Sequence, residues 1–284
     1  TRCTSTTWTA TTSKQEPMTN PDAVAGPESV APVFGDLRGK VAVVTGGSRG
    51  IGAATCLALA RNGVRLAING RDVAALQSSL AAVQALGVEA IAIPADCSDL
   101  TQVERMRDAV HAHFGAPDFV LAFAGGGTGK PVPVQDISEE DWRSSIDNNL
   151  TSTFFTIKCF LPGMLARGSG GILTMASAGG RMASGAPAGY GAAKAGVIML
   201  TRHLAQETGP GGLRVNCISP SAVMTERTEA TLPPERRAQM LRAFPLGRLG
   251  TPDDIAMASL FLLSDASSWI TGIVLDVAGG RVMV

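Results

Sequence analysis

The amino-acid sequence predicts an α/β fold: one doubly wound sheet of seven parallel strands with helices on both faces. From Gly39 onward, short β-branched runs alternate with longer stretches rich in Ala and Leu, which is typical of βαβ units. The chain has 284 residues, of which 45% are hydrophobic, so it can fill one large core. A glycine-rich loop at residues 45–52 follows the first predicted strand directly and leads into a helix.

The predicted strands are short and apolar, and helical stretches separate them. We predict strands at residues 41–45, 65–69, 90–94, 118–124, 171–176, 214–219 and 272–277. We predict helices at residues 51–62, 73–86, 100–114, 139–167, 190–206 and 253–263. Because helices connect successive strands, the strands are expected to be parallel.

The N-terminal segment differs from the rest of the chain. Residues 1–35 are rich in Thr, Ser, Pro and Ala and show no helical or strand periodicity, so we predict a disordered or non-native extension before one domain at 36–284. The first fifteen residues carry Arg2 and Lys14 but no acid, which resembles an organelle transit peptide. We favour vector-derived or upstream sequence before a start at Met18, with a transit peptide as the alternative.

Charge, hydropathy and cysteine spacing exclude several classes of protein. Basic and acidic residues balance at 24 each without a basic stripe, so we expect no nucleic-acid partner. No apolar run reaches the about 18 residues of a membrane span, so we expect a cytoplasmic protein, with organelle import through the N-terminal segment as the alternative. The five cysteines form no CxxC pair and the three histidines have no zinc spacing, so no metal site is predicted.

The loop at residues 45–52 reads Thr-Gly-Gly-Ser-Arg-Gly-Ile-Gly. Glycine lets the backbone turn tightly and approach a pyrophosphate, whose charge is met by N–H groups at the helix N-terminus. The alternative is a glycine-rich turn without a ligand, but the order strand, loop, helix, strand favours a dinucleotide site. The cofactor contacts predicted in this loop are Gly46, Ser48, Arg49, Gly50, Ile51 and Gly52.

The end of the second strand indicates which dinucleotide is bound. Enzymes that use NAD usually have an acid there to hold the ribose 2′-hydroxyl, whereas this chain has Asn69-Gly70-Arg71. Arg71, together with Arg49 of the glycine loop, can hold a 2′-phosphate by charge-assisted hydrogen bonds. We therefore predict NADP(H) as the cofactor; two solvated arginines are the alternative.

Tyr190 and Lys194 are the predicted chemical centre. They lie four residues apart in a predicted helix, so phenol and ammonium share one face, and Tyr190 is the only tyrosine of the chain. A nearby ammonium favours the phenolate and makes the phenol usable as an acid or base at neutral pH. Ser177 ends the fifth strand at the edge where ligands of doubly wound sheets bind; it is otherwise a plain turn residue.

These motifs and their order resemble the short-chain dehydrogenase/reductase family. The loop has the family's Gly-x3-Gly-x-Gly spacing, and the resemblance covers residues 36–281. It implies a Rossmann-type fold and hydride transfer between a nicotinamide and a carbonyl or alcohol. It further implies that Ser177 polarises the substrate oxygen, Tyr190 protonates it and Lys194 holds the ribose. Asn149, in Asp-Asn-Asn-Leu, matches the residue that holds a water linking the lysine to bulk solvent.

The same resemblance implies further cofactor contacts. Asp96 matches an acid that contacts adenine, and Ala124 and Gly125 end the fourth strand where the family has Asn-Asn-Ala-Gly. The segment at residues 216–225 matches one that grips the nicotinamide carboxamide, through Pro220, Val223 and Thr225. The chain departs from the family where Ala122-Phe123 replaces both asparagines and Ser221 replaces a glycine.

The nearest resemblance is to 3-oxoacyl-[acyl-carrier-protein] reductases and related ketoreductases, which implies a small carbonyl or alcohol substrate, such as a 3-oxoacyl thioester. Residues 221–245 are predicted to form an apolar substrate lid. Arg167 and Arg181 are candidates for docking an acidic carrier protein. A dehydrogenase for another secondary alcohol, such as a sugar or steroid, and a non-catalytic nucleotide sensor remain as alternatives. Apolar segments at 154–155 and 198–200 predict a homotetramer.

Overall fold

The structure, a computed structural model that describes residues 34–126 and 129–283, contains the predicted parallel sheet of seven strands. The strands are β1 (Val41–Thr45), β2 (Arg65–Gly70), β3 (Ala90–Pro94), β4 (Phe119–Ala122), β5 (Gly170–Met175), β6 (Leu213–Pro220) and β7 (Val274–Val277). Their order across the sheet is β3-β2-β1-β4-β5-β6-β7. The chain therefore reverses its winding direction between β1 and β4, and ligands of such sheets bind outside the carboxyl ends of the strands at this reversal.

Helices cover both faces of the sheet, as predicted. They are α1 (Gly50–Arg61), α2 (Val73–Gln84), α3 (Leu100–Phe114), α4 (Glu139–Ile146), α5 (Ser152–Arg167), α6 (Ala188–Thr208), α7 (Glu226–Thr231), α8 (Pro234–Leu241) and α9 (Pro252–Leu263). The fold class is confirmed. The predicted N-terminal extension lies outside the described residues except for Phe34 and Gly35, and its boundary stays a prediction.

The core has two halves because successive side chains of a strand point to opposite faces of the sheet. Ala42 and Val44 of β1 pack in one half, together with buried side chains of α1, α2 and α9. Val43 packs in the other half, against side chains of α3, α5 and α6. Every residue of β1 is buried, so the glycine loop that follows it starts from a rigid strand.

One predicted helix, at residues 139–167, is interrupted. A π-helical segment at Asp147–Thr151 separates α4 from α5. Here several side chains bond to the carbonyl four residues earlier: Asn148 and Asn149 donate to Ser144 and Ser145, and Thr153 donates to Asn149. Such bonds offer the main-chain carbonyls a second partner, which favours local departures from a regular helix.

The fourth predicted strand ends two residues early, at Ala122. The Thr45 hydroxyl accepts hydrogen bonds from the N–H groups of Phe123 and Ala124, at 3.0 and 3.1 Å. These bonds draw the chain out of the ladder and toward the glycine loop. Two helices were not predicted: α7 and α8 lie inside the segment predicted as a lid. The Thr225 hydroxyl caps α7, and Pro234 opens α8.

Among the described residues, no helix combines the length and the apolar character that a membrane crossing requires.

Candidate active site

The candidate site is a cleft outside the carboxyl ends of the strands on either side of the winding reversal, where two cavities adjoin. The smaller, of about 390 Å³, is lined among others by Gly46, Ser48, Arg49, Arg71, Asp96, Ala124 and Gly125. The larger, of about 940 Å³, is lined among others by Gly50, Ile51, Gly52, Ser177, Tyr190, Lys194, Pro220, Val223 and Thr225. Of the predicted site residues, Asn149 alone lines neither cavity; it lies behind the cleft.

The glycine loop is packed so tightly that its glycines cannot carry side chains. A Cβ atom on Gly52 would lie 2.1 Å from the carbonyl oxygen of Gly46, and Gly46 itself has φ of 68°. Gly50, with φ of 52°, lies against Thr225. The first turn of α1 therefore stands open to the cleft with its N–H groups toward a ligand, an arrangement that suits a pyrophosphate.

The segments that follow β1, β2 and β3 bring two arginines and two aspartates to the rim of the smaller cavity. Arg49 forms an ion pair with Asp72, and Arg71 lies 3.4 Å from Asp96. Burial tends to raise the pKa of Asp96, but hydrogen bonds from Ser98 and the charge of Arg71 outweigh it and hold that pKa below its usual value. Both acids are therefore ionised at neutral pH.

Gly70 is the last residue of β2, the position at which NAD-binding proteins of this type usually have an acidic residue. A Cβ atom there would lie 2.7 Å from the Ser48 hydroxyl oxygen, so a larger residue requires Ser48 to move. The side chain of Ser48 thus occupies the space beside Gly70. The two arginines lie at the same rim, and the residues present fit a nicotinamide dinucleotide.

Lys194 is the most deeply buried charged group of the site. α6 begins at Ala188, so Tyr190 and Lys194 lie in its first two turns. The Lys194 side chain is 3% exposed, and its ammonium donates to the carbonyl oxygen of Met175 at 2.8 Å. Burial lowers the pKa of Lys194 to about 8. The ammonium lies 5.7 Å from the centre of the Tyr190 ring.

The environment of Tyr190 differs from the one we expected. Burial raises the pKa of its phenol above the usual value, and the opposing hydrogen bond comes from Ser177. We expected Lys194 to lower this pKa, but its ammonium points past the ring to the carbonyl of Met175. The structure thus brings Ser177, Tyr190 and Lys194 into one cavity, with Ser177 as the direct partner of the phenol.

Asn149 is fully buried in the π-helical segment and holds the main chain of the loop after β4. Its side-chain oxygen accepts from the N–H of Gly126 at 2.9 Å, and its amide donates to the carbonyl of Gly126 at 3.1 Å. A Cβ atom on the neighbouring Gly125 would lie 2.7 Å from the Asn149 oxygen and 3.3 Å from the Lys194 ammonium nitrogen. Asn149 is therefore close to Lys194, and a relay through it stays a prediction.

The segment predicted to contact a nicotinamide leaves β6 and crosses the larger cavity. Met224 donates from its N–H to the carbonyl of Gly250 at 2.8 Å, which fixes the chain between Val223 and Thr225. Thr225 then caps α7. Pro220, Val223 and Thr225 all line the cavity opposite the glycine loop.

Several residues that line the cleft were missed from the sequence, among them Asp72 and Arg227. Asp72 lines the smaller cavity, and its position directly before a predicted helix signalled only an N-cap. Arg227, in the first turn of α7, lines both cavities. Nothing in the sequence pattern distinguished it from the other arginines of residues 221–245. Within residues 34–126 and 129–283, no three His, Cys, Asp or Glu side chains are grouped as metal ligands would be.

The two arginines considered for docking an acidic carrier are engaged within the chain. Arg181 forms an ion pair with Asp276 at 2.9 Å, and the two side chains are 14% and 12% exposed. Arg167 donates to the carbonyl oxygens of Ala116 and Pro117. Both guanidiniums have partners within the chain, so the structure adds no support for carrier docking, and that role stays a prediction.

Comparisons with known proteins agree with this architecture. A family model described as enoyl-(acyl carrier protein) reductase matches residues 46–281. An uncharacterised short-chain type dehydrogenase/reductase of Sinorhizobium fredii is 37% identical over 254 residues, covering 87% of this chain and 99% of the relative. Cyclohexanol dehydrogenase of a Rhodococcus species is 36% identical over 260 residues, covering 86% and 96%.

A solved structure extends the comparison to three dimensions. A 3-oxoacyl-[acyl-carrier protein] reductase from Brucella melitensis, crystallised with bound NAD, superposes with a TM-score of 0.83 at 32% identity. The superposition covers 91% of this chain and 96% of that one. The whole sheet and its flanking helices are therefore shared.

Proposed function

Because the chain belongs to the short-chain dehydrogenase/reductase family, we propose that it reduces a ketone to a secondary alcohol with NADPH, or oxidises the alcohol in reverse. One observation carries the proposal. Tyr190, Ser177 and the buried ammonium of Lys194 line one cavity that is continuous with the glycine loop. An acid, a hydrogen-bond donor and a cation in one cavity support a reaction at a carbonyl oxygen.

The reaction needs a hydride and a proton. When bound in the cleft, a reduced nicotinamide supplies the hydride to the carbonyl carbon. Ser177 donates a hydrogen bond to the carbonyl oxygen and polarises the C=O bond. Tyr190 transfers its phenolic proton to that oxygen as it becomes an alkoxide, so the product is an alcohol. Lys194 lies in the same cavity, where its buried ammonium would hold the ribose of the nicotinamide.

NADP(H) is the proposed cofactor because the rim of the smaller cavity suits a 2′-phosphate better than a bare ribose. Arg49 and Arg71 lie at this rim, and Ser48 fills the space beside Gly70 in which an acid would have to stand. NAD, which the Brucella melitensis reductase binds, is the alternative. A direct comparison of NADPH and NADH as reductants separates the two.

The substrate is proposed to be a ketone with an apolar body. Phe123, Met175, Ala176 and Val223 contribute apolar surface to the larger cavity, close to Ser177. A 3-oxoacyl thioester is the first candidate because a structural relative is a 3-oxoacyl reductase. A cyclic or other secondary alcohol is the second, because cyclohexanol dehydrogenase is a relative of similar identity.

A homotetramer is proposed from apolar surface on α5 and α6. Phe154 is 43% exposed and Met199 is 50% exposed, whereas Ile198 packs inward. Exposed apolar side chains on adjacent helices favour association with a second copy. Sedimentation at micromolar concentration is expected to give an oligomer, and a stable monomer would refute this assignment.

The test is a set of variants assayed with NADPH and NADH against ketones that include a 3-oxoacyl thioester and cyclohexanone. Tyr190→Phe is expected to lower turnover by at least about a hundredfold, the scale of general acid catalysis, while NADPH still binds. Ser177→Ala should lower turnover as well, with Ser184→Ala, in the loop that follows, as the matched control. Turnover near the wild-type level in Tyr190→Phe would contradict the proposed mechanism.

A further inference from the structure

Asp72 has no role in the proposed reaction, yet it stands at the phosphate end of the cleft. Its carboxylate forms an ion pair with Arg49, one of the two arginines proposed to bind the 2′-phosphate. The other carboxylate oxygen accepts from the N–H of Ala75 at 3.0 Å and caps α2. One side chain thus binds both a helix end and a phosphate-binding cation.

Two of the three arginines that line the smaller cavity are each paired with an aspartate. Arg49 is paired with Asp72, and Arg71 is paired with Asp96 at 3.4 Å. Asp96 matches an acid with a known place in the family, at the adenine, but Asp72 has no such match. A phosphate dianion would bind more tightly to an arginine that has no carboxylate partner. The carboxylate of Asp72 therefore weakens binding of the phosphate.

We propose that Asp72 sets the ratio of NADPH to NADH affinity by competing with the 2′-phosphate for Arg49 and by repelling it. This inference rests on the proposed NADP(H) site. The ribose 2′-hydroxyl of NADH is neutral, so at this position the charge of Asp72 repels NADPH and not NADH. Asp72 therefore lowers the preference for NADPH over NADH that the two arginines would give without it.

Asp72 cannot leave the site when a phosphate arrives. Its hydrogen bond to the N–H of Ala75 fixes the carboxylate to the first turn of α2, where the helix dipole favours a negative charge. That hydrogen bond and the nearby charge of Arg49 hold the pKa of Asp72 below its usual value, so it is ionised at neutral pH. The side chain of Arg49 is 62% exposed, and exposed ion pairs are weak. Arg49 can therefore turn to a phosphate while the carboxylate stays and repels it.

The variant Asp72→Asn removes the charge and keeps an oxygen that can cap the helix. Asp99→Asn is the matched control, because Asp99 is also an exposed N-cap, accepts from the N–H of Gln102 and lines neither cavity. Calorimetric titration with adenosine 2′,5′-bisphosphate and with 5′-AMP measures recognition of the 2′-phosphate without any turnover. Fluorescence titration with NADPH and NADH repeats the comparison on whole cofactors.

Asp72→Asn is expected to bind adenosine 2′,5′-bisphosphate about threefold to tenfold more tightly, the scale of one screened charge interaction at a surface, and the gain should shrink in high salt. Binding of 5′-AMP should not change, and Asp99→Asn should behave as the wild type. Asp72→Ser, which also keeps a cap, should reproduce the gain. An unchanged ratio of the two affinities in both Asp72 variants would overturn the inference.

Failure of the underlying site gives a different result. If the wild type binds the bisphosphate no more tightly than 5′-AMP, and Arg71→Ala changes neither affinity, the proposed phosphate site is wrong and the inference is wrong with it. A wild type that prefers the bisphosphate, combined with unchanged Asp72 variants, rejects the role of Asp72 alone.

Discussion

Replacement of Lys194 by methionine is expected to stabilise the nucleotide-free protein at neutral pH, although it removes a residue of the proposed reaction. The ammonium is buried and donates a hydrogen bond to the carbonyl oxygen of Met175. Burial disfavours the charged form, which is why the pKa of Lys194 falls from 10.5 to about 8. Methionine has a similar length and carries no charge.

The size of the effect follows from the fall in the pKa of Lys194. A fall from 10.5 to about 8 is about 2.5 units, which corresponds to about 3 kcal/mol of unfolding free energy at 1.36 kcal/mol per unit. The hydrogen bond to the Met175 carbonyl is lost in the variant, which costs about 1 kcal/mol. The variant should therefore be more stable than the wild type by about 2 kcal/mol at pH 7.

The advantage of the variant depends on pH in a defined direction. Below pH about 8 the lysine is protonated in both folded and unfolded chains, so the folded protein bears the whole cost of the buried charge. As pH rises from about 8 toward 10.5, the folded protein releases the proton first and the wild type gains stability. Near pH 10.5 the variant should have lost its advantage.

Urea unfolding of both proteins without nucleotide, from pH 7 to pH 10, measures this difference at equal protein concentration. Lys158→Met, which removes an exposed ammonium on α5, is the control and should show no such dependence. A Lys194→Met protein that is less stable than the wild type by the same amount at every pH would refute the reasoning.

Two further substitutions test the packing behind the site. Gly52→Ala should abolish NADPH binding, measured by fluorescence, because the new Cβ would lie 2.1 Å from the Gly46 carbonyl; Gly35→Ala, with open space around it, should bind normally. Arg181→Met should lower the unfolding free energy by about 3 kcal/mol, since it leaves the buried carboxylate of Asp276 without its partner. The double variant Arg181→Met/Asp276→Leu should recover most of that loss in urea unfolding, and a double variant no better than the single one would contradict this account.

Most strands were predictable because they are short apolar runs; β1, for example, is buried along its whole length. The residues at which the strands end were harder to predict. Nothing in the local sequence indicates that the Thr45 hydroxyl, 78 positions earlier, binds the N–H of Phe123 and ends β4 at Ala122. The short helices α7 and α8 were missed because their residues are polar and too few to show a period.

For the site, the order of the motifs predicted which residues line the cleft, because the carboxyl ends of parallel strands meet at one edge. The hydrogen-bond and ion-pair partners of these residues could not be predicted in the same way. Lys194 bonds to the carbonyl of Met175, and Arg49 pairs with Asp72, through contacts that only the packed chain creates. The shift in the pKa of Tyr190 likewise depends on how deeply the phenol is buried, and the spacing of Tyr190 and Lys194 in the sequence does not indicate that burial.

The π-helical segment at Asp147–Thr151 makes this part of the chain sensitive to its length. A π turn holds one residue more than the α turn that it replaces. Removing that residue would close the segment into a continuous α-helix and would take away the widened turn from which Asn149 holds the main chain of Gly126. Deletions are therefore expected to be tolerated in the surface loops of this chain and not within these five positions, whatever residues occupy them.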